Sequence, residues 1–258
     1  MGYGIKIMLL RVIVNRPVIV YVTGLREPLF SYKIFSQRHR TLVGSPFLKR
    51  FIPSAKFVHP FLRKELEYFD VAERYNRLHS TVLYLGSLQR GRGVETLLEA
   101  IKLSNRKKNV RLILAYNGYG HYTEEWLIDT VNRLGIESKV DIRGYVDAGD
   151  IYTVADILVI PRETRQFMSF PLRIIEALNW ALPIIVTTMC DMHTLVEGAG
   201  ISVEPAQPAA MADAILTLLD DHQLYKQCVE GCQTLSVVYA SEHSLLAIRE
   251  ELLNAFSN

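Results

Sequence analysis

Residues 81–101 read TVLYLGSLQRGRGVETLLEAI, and this stretch decides the fold. Its first five residues form an apolar run, which is typical of a strand buried on both faces of a parallel sheet. A glycine-rich turn follows, in which the backbone can bend sharply and approach a ligand closely. Leu97, Leu98 and Ile101 then recur at helical spacing. The stretch therefore predicts a strand, a tight turn and a helix.

The same alternation continues towards the carboxyl end. Further strands are predicted at 110–116, 140–143, 157–160, 184–187 and 201–203. Helices are predicted at 94–103, 123–134, 151–155, 172–180, 209–219, 224–239 and 241–256. Alternating strands and helices predict an α/β fold, a doubly wound parallel sheet with helices on both faces. Because ligands bind beyond the carboxyl ends of such strands, the loops that follow them are the candidate site. These loops come after Leu85, Tyr116, Arg143 and Ile160.

The first 79 residues show a less regular pattern. Strands are predicted at 18–23, 39–45 and 54–60, and helices at 5–14 and 62–75. That is too little for an independent doubly wound domain, so we interpret it as an incomplete N-terminal α/β segment. The apolar stretch 5–22 contains Lys6, Arg11 and Arg16, a pattern that fits neither a membrane span nor a secretory signal.

Charge is distributed very unevenly along the chain. Residues 1–64 hold twelve Lys or Arg and one acid, Glu27, so this segment carries +11, and the remainder carries −9 to give the net +2. Such asymmetry indicates a polyanionic partner for the basic segment. An anionic membrane surface or a lipid-linked acceptor would fit, and a solvated basic face is the alternative. Nucleic acid is least favoured, because no nucleic-acid-binding motif accompanies the charge.

The cysteines and histidines show no spacing of metal ligands. Cys228 and Cys232 lie four residues apart in a predicted helix without a second ligand pair, and Cys190 stands alone. An odd number of cysteines without a framework argues against a disulfide scaffold. We therefore expect no metal site, and a reducing, cytoplasmic location.

Two segments carry residues suited to binding chemistry. At the glycine-rich turn, the start of the following helix favours an anion, and Arg90 and Arg92 add forked donors that suit phosphate. A surface turn with two solvated arginines is the alternative. In the second segment, Glu176 lies in an apolar helix, where a half-buried carboxylate needs partners. Sugar hydroxyls would supply them, and a neighbouring loop amide is the alternative.

In their order along residues 81–219, these motifs resemble the C-terminal domain of family 4 retaining glycosyltransferases of the GT-B fold. The matching segments are the glycine-rich turn, Asn117-Gly118-Tyr119-Gly120, Gly144-Tyr145-Val146, Ala155-Asp156-Ile157 with Pro161, and Phe170 with Glu176-Ala177. The resemblance implies a Rossmann-like C-terminal domain. It also implies sugar transfer from a nucleoside-diphosphate sugar to an acceptor, with retention and without a metal or other cofactor.

The resemblance further implies donor-binding roles for individual residues. Arg92 is expected to neutralise the donor diphosphate, and Glu176 to hold the ribose hydroxyls. Tyr145 and Val146 are expected beside the nucleobase. The other expected donor-binding residues are Gly86, Ser87, Arg90, Gly118, Phe170, Pro171 and Leu172. Arg90 is expected to replace an arginine that the family often has at position 87. No catalytic residue is assigned.

The chain also departs from the family pattern. Met168 stands in place of the first of two motif glutamates, Pro171 in place of a glycine and Thr23 in place of a histidine. These departures leave a second interpretation open, a donor-binding subunit that needs a partner chain or self-association. A sugar-nucleotide epimerase would need carboxylates and histidines in the cleft, and no good set is present.

The resemblance suggests a division of the chain into three parts. We expect a basic, acceptor-side segment at 1–78 and a nucleotide-sugar-binding domain at 79–240. A C-terminal helix at 241–258 is expected to pack back on the N-terminal part. An acceptor in an anionic membrane would make the protein peripheral at the cytoplasmic membrane face.

Overall fold

The computed structural model describes residues 19–22, 40–58, 80–116, 120–146, 148–165 and 171–256. The chain forms two compact units. The smaller comprises Met1–Lys64, Gln166–Leu172 and Val238–Asn258, and the larger comprises Glu65–Arg165 and Arg173–Val237.

The smaller unit contains a three-stranded parallel sheet. Its strands are β1 (Ile19–Val22), β2 (Arg40–Val43) and β3 (Lys56–Phe57), in the order β1-β2-β3. A short helix, α1 (Pro46–Lys49), follows β2 and begins at Ser45, whose hydroxyl accepts a hydrogen bond from the Phe47 N–H. The three strands lie within the predicted ranges. The helices predicted at 5–14 and 62–75 fall outside the described residues.

The larger unit alternates strands with helices, as the sequence predicts. Its strands are β4 (Thr81–Gly86), β5 (Arg111–Tyr116), β6 (Val140–Arg143), β7 (Ile157–Ile160), β8 (Ile184–Thr187) and β9 (Gly200–Val203). Its helices are α2 (Val94–Ser104), α3 (Glu124–Leu134), α4 (Ala148–Val154), α5 (Leu172–Asn179), α6 (Pro208–Asp220) and α7 (His222–Val238). Leu97, Leu98 and Ile101 of α2 are fully buried, which confirms the predicted apolar face.

All six strands run parallel, in the order β6-β5-β4-β7-β8-β9. The first three strands add outward from β4 in one direction, and the last three add outward from β7 in the other. β4 and β7 are therefore neighbours at the topological switch point, where a doubly wound sheet opens a crevice for ligands. The predicted doubly wound α/β fold is confirmed.

The pairing of β4 with β7 is short. Only two residue pairs are in register, Val82 with Ile157 and Leu83 with Leu158, whereas β4 pairs with β5 over six. The buried carboxylate of Asp156 reinforces the amino end of this pairing. It accepts hydrogen bonds from the backbone N–H groups of residues 80 and 81, at 2.9 and 2.8 Å.

The last helix, α8 (Ser241–Phe256), has the predicted range and belongs to the smaller unit. Within that unit Lys56 Nζ lies 3.1 Å from Glu251 Oε1 and 3.6 Å from Glu250 Oε2, so an ion pair links β3 to α8. None of the helices in the described ranges is both long enough and apolar enough to cross a membrane.

Candidate functional site

A buried tyrosine, Tyr84, is hydrogen bonded to the turn that follows β4. The hydroxyl of Tyr84 donates a hydrogen bond to the backbone carbonyl of Ser87, at 2.8 Å. A Cβ atom on Gly86 would lie 2.6 Å from that hydroxyl, so the close approach of Tyr84 requires glycine there. Burial raises the pKa of Tyr84 to about 12, although the charges of Arg92, Arg173 and Arg162 lower it. The hydroxyl is therefore a protonated donor at neutral pH.

The glycine-rich turn is docked against the segment that follows β7. The N–H of Glu163 donates to the Gly91 carbonyl at 2.9 Å, and the Glu163 carboxylate accepts a hydrogen bond from the Thr96 hydroxyl in the first turn of α2. Gly93 has φ +76°, and a Cβ atom there would lie 1.7 Å from the Pro161 carbonyl oxygen. The two loops at the switch point thus form one surface.

This docking brings arginine side chains together. Arg92 stands between the two docked glycines, and Arg162 follows β7 and is only 2% exposed. Burial lowers the pKa of Arg162, and the charge of Arg92 lowers it further, while Cys190 and Tyr84 raise it. The two guanidinium groups therefore lie within each other's electric field.

Arg90 has a different environment. Its side chain is exposed and hydrogen bonds to Tyr122, whose hydroxyl lies 3.2 Å from Glu95 Oε2 and donates to it. The Tyr122 ring stacks on Trp126, with centroids 3.8 Å apart. The structure thus directs Arg90 towards α2 and α3, and its contact with a donor stays a prediction.

Glu176 is half-buried on α5, and within the described part of the chain its carboxylate accepts a hydrogen bond from one side chain. The Tyr152 hydroxyl on α4 donates to Glu176 Oε2 at 2.6 Å. Burial raises the pKa of Tyr152 well above 10, and the neighbouring Glu176 charge raises it further, so the tyrosine remains the donor. Glu176 Oε1 accepts no hydrogen bond from any residue that the structure describes. Among the residues that the structure describes, the partner of this carboxylate is therefore the Tyr152 side chain.

Arg173 connects these two parts of the site. Its charge acts on the Tyr84 hydroxyl under the glycine-rich turn and also on the Tyr152 hydroxyl beside Glu176. Its Nε atom is buried and donates to no acceptor within the described residues. The charge of Arg173 therefore acts on both parts of the site.

The remaining predicted residues are distributed as follows. Tyr145 is 90% exposed, and it lies with the half-buried Val146 beyond β6, the edge strand two strands away from β4. Pro171 and Leu172 stand at the start of α5, and Leu172 is exposed. Gly118 and Phe170, like Met168, fall outside the described residues. The described ranges contain no group of three His, Cys, Asp or Glu side chains placed like metal ligands.

Four residues of this site were not predicted from the sequence: Tyr84, Tyr152, Arg162 and Arg173. A signal existed for two of them. Arg162 directly follows Pro161 in a loop that the strand pattern marks as a candidate site, and Arg173 lies three residues before Glu176. The tyrosines carried no signal, because an aromatic residue in an apolar strand or helix is typical of a core.

Replacing Tyr152 with phenylalanine tests the support of Glu176. We expect the free energy of unfolding to fall by about 1–2 kcal/mol, because a buried hydrogen bond to a charged group is lost. We also expect weaker nucleotide binding, because the carboxylate is no longer oriented. Urea unfolding and nucleotide titration measure the two effects. Tyr239→Phe removes a buried hydroxyl in the other unit and serves as control, with unchanged nucleotide affinity. Unchanged affinity in Tyr152→Phe as well would contradict the role of this bond.

The sequence also matches known proteins. Residues 79–221 match the family described as glycosyl transferases group 1. The chain is 26% identical over 181 residues to an alpha-D-kanosaminyltransferase from Streptomyces kanamyceticus, covering 68% of this chain and 45% of the relative. It is 30% identical over 173 residues to a D-inositol 3-phosphate glycosyltransferase from Corynebacterium glutamicum (strain R), covering 62% and 41%. The chain therefore spans less than half the length of these curated relatives.

Solved structures share the fold at low sequence identity. Sucrose-phosphate synthase from Thermosynechococcus elongatus has a TM-score of 0.80 at 20% identity, covering 98% of this chain and 71% of that protein. HepE from Anabaena, solved in complex with UDP, has a TM-score of 0.77 at 16% identity, covering 98% and 76%. The expected GT-B fold is confirmed. With the family match extending over more than half of its 258 residues, the chain belongs to the glycosyl transferases group 1 family.

Proposed function

We propose that this chain binds a nucleoside-diphosphate sugar and transfers its sugar to an acceptor. One observation carries the proposal: the switch point of the sheet holds a cluster of guanidinium groups, and Arg173 links this cluster to the Tyr152-supported carboxylate of Glu176. Guanidinium groups bind phosphates through forked donors, and a carboxylate accepts hydrogen bonds from ribose hydroxyls. The arrangement matches the two ends of a nucleoside diphosphate.

The proposed reaction exchanges one bond at the anomeric carbon. The bond from this carbon to the diphosphate oxygen breaks, and its electron pair stays on the departing diphosphate. The acceptor oxygen bonds to the same carbon, and its proton passes to the diphosphate. Arg92 stabilises the negative charge that develops on the leaving group, which is electrostatic stabilisation of the transition state. We include retention of configuration and independence from metal ions in this proposal, on the strength of the family resemblance and of the arginine cluster.

The acceptor is proposed to be phosphate-bearing, lipid-linked or presented at an anionic membrane surface. The charge of +11 over residues 1–64 supports this, since each basic residue near an anionic surface contributes about 1 kcal/mol of attraction. We therefore propose that the enzyme works at the cytoplasmic membrane face. The curated relatives are named as transferases, which supports an enzyme over the alternative of a binding subunit dependent on a partner or on self-association.

Thermal unfolding with a panel of ligands tests the donor site. UDP, GDP, ADP, UDP-glucose and GDP-mannose are compared on wild type, Arg92→Ala and a control, Arg106→Ala, which removes an exposed arginine just after α2. A ligand at 100 times its dissociation constant adds about 2.7 kcal/mol of stability. We expect the diphosphates of one base to stabilise wild type and control by roughly 5–10 °C, and Arg92→Ala much less. If no ligand stabilises the wild type, the proposal fails.

Product analysis separates the enzyme from the binding subunit. With the nucleotide sugar that binds, an active transferase releases nucleoside diphosphate and, without an acceptor, slowly releases free sugar. We expect the release of nucleoside diphosphate to continue in EDTA. When an acceptor is present, we expect the transferred sugar to keep the anomeric configuration that it had in the donor. Binding without any release would favour the subunit.

A further inference from the structure

The last helix of the smaller unit, α8, exposes an apolar face. Four of its leucines are between 43 and 57% exposed, and we call them the leucine face: Leu245, Leu246, Leu252 and Leu253. The two pairs are seven residues apart, close to two helical turns, so they share one side of the helix within an arc of about 120°. A single exposed leucine is ordinary on a protein surface, but a contiguous apolar patch indicates an interaction surface.

Another face of α8 packs within the smaller unit. Ser244 is buried there, and Lys56 of β3 lies 3.1 Å from Glu251 Oε1 and 3.6 Å from Glu250 Oε2. These ion pairs hold the helix in place and offset the acidic charge of α8. Packing within the unit therefore accounts for this face of the helix, and it does not account for the leucine face.

The unit that carries the leucine face is strongly basic. Its residues 1–64 carry +11 and its residues 238–258 carry −2, and its segment 166–172 has no charged residue, so the unit carries +9. The larger unit carries the remaining −7 of the net +2. An apolar helix face and an excess of basic residues in one unit are the combination that binds an anionic lipid surface.

Arg249 favours a lipid surface over a second copy of the chain as the partner of this face. It is exposed and lies within the arc of the leucine face, one helical turn after Leu245 and one before Leu253. Against the leucines of a second copy, its guanidinium group would be buried in an apolar interface, which is unfavourable. Two units with a charge of +9 each would also repel each other. At a membrane surface, the long side chain of Arg249 can instead extend to the lipid phosphates while the leucines are buried.

We propose that the leucine face of α8 inserts into the surface of an anionic membrane, while the basic residues of the same unit bind the lipid headgroups. This inference rests on the proposed function, which puts the acceptor at such a surface, and it names the element that makes the contact. α8 is not long and apolar enough to cross a membrane. It lies in the plane of the interface, with its leucines at the boundary between headgroups and acyl chains.

Co-sedimentation of the full chain with lipid vesicles tests the inference. Vesicles of phosphatidylcholine mixed with phosphatidylglycerol are compared with vesicles of phosphatidylcholine alone, for wild type and Leu245→Gln/Leu252→Gln. The matched control is Ile128→Gln/Val154→Gln, which changes two exposed apolar residues of the larger unit. We expect wild type and control to bind the anionic vesicles, and the leucine variant to bind them at least about 10-fold more weakly, because apolar area is no longer buried. Added salt should weaken wild-type binding, because it screens the basic residues.

A tryptophan on the leucine face measures insertion without removing the apolar surface. In Leu246→Trp the side chain remains apolar, so this variant decides the question if the glutamine variant does not fold. The natural Trp126 and Trp180 belong to the larger unit, and their emission is subtracted with the wild-type spectrum. We expect lipids brominated on their acyl chains to quench the added emission, and to leave that of a control, Ile128→Trp, unchanged.

The outcomes distinguish this inference from the proposed function. Equal vesicle binding by wild type and a folded leucine variant, or unquenched emission from Leu246→Trp, overturns the inference. A wild-type dimer in analytical ultracentrifugation that Leu245→Gln/Leu252→Gln dissociates would assign the face to a second copy and also overturn it. If wild type binds no vesicles, the inference and the membrane part of the proposed function both fail, while stabilisation by a nucleoside diphosphate still supports the donor site. Vesicle binding without any nucleotide binding supports the inference and contradicts the donor site.

Discussion

Replacing Gly93 with alanine is expected to lower the free energy of unfolding by more than about 3 kcal/mol and to abolish nucleotide binding. The backbone of Gly93 has φ +76°, where a residue with a Cβ atom is strained by roughly 1–2 kcal/mol. The added Cβ would also lie 1.7 Å from the Pro161 carbonyl oxygen, which is backbone and cannot rotate away. Because Glu163 is hydrogen bonded to Gly91, relief of this clash must separate the two docked loops. Separation carries Arg92 away from Arg162.

Gly135→Ala is the matched control for this prediction. Gly135 ends α3 with φ +66°, and a Cβ atom there would meet nothing within 4 Å. The control therefore isolates the backbone strain, and we expect a loss of roughly 1–2 kcal/mol with unchanged affinity for nucleotides. Urea unfolding and nucleotide titration measure both variants. Equal losses of stability in the two would show that the contact with Pro161 contributes nothing.

Glu176→Gln is expected to remove the preference for ribonucleotides. In the proposed complex the carboxylate accepts hydrogen bonds from ribose hydroxyls, and each such bond to a charged group contributes about 1.5–3 kcal/mol. The variant should bind the preferred nucleoside diphosphate about 10- to 100-fold more weakly than wild type. Stability should change by less than about 1 kcal/mol, because the amide oxygen still accepts from Tyr152.

Deoxy analogues make the Glu176 prediction specific. Wild type should bind the 2′-deoxy and 3′-deoxy diphosphates more weakly than the ribonucleotide, and in Glu176→Gln this difference should shrink towards zero. Glu99→Gln, an exposed position on α2, should leave every affinity unchanged. The same loss for ribo and deoxy ligands would mean that Glu176 shapes the site without touching the sugar.

The sequence predicts the architecture of the larger unit because its local signals agree. The apolar run of β4, the glycine-rich turn and the buried face of α2 each specify one element, and the alternation specifies a parallel sheet. Local sequence signals do not predict the backbone conformation where tertiary contacts determine it. Cys190 and Asp191 have φ +56° at a kink between the two 3₁₀ turns of Met189–Leu195, although neither is glycine. Nothing in their neighbourhood in the sequence indicates a left-handed conformation.

Only part of the candidate site could be predicted for the same reason. Arg92 and Glu176 each belong to a motif of a few neighbouring residues, so the family resemblance identifies them. Arg162 is seventy positions from Arg92, and the two become neighbours only because β7 inserts beside β4. The hydroxyl of Tyr152 on α4 meets Glu176 on α5, 24 positions further along the chain. Such pairs depend on strand order and helix packing, which spacing along the chain does not encode.

The short pairing between β4 and β7 forms a weak line of contact within the sheet, which we call the seam. Two halves of three strands each meet along only two registered residue pairs. Asp156 clamps one end of this seam, and the docked glycine-rich turn closes the other. A ligand bound by arginines that follow β4 and β7 would hold the two halves together at this second end. Sliding of one half of the sheet past the other should then be suppressed. Ligand binding should therefore slow amide hydrogen exchange along β4 and β7, at positions that the ligand itself does not contact.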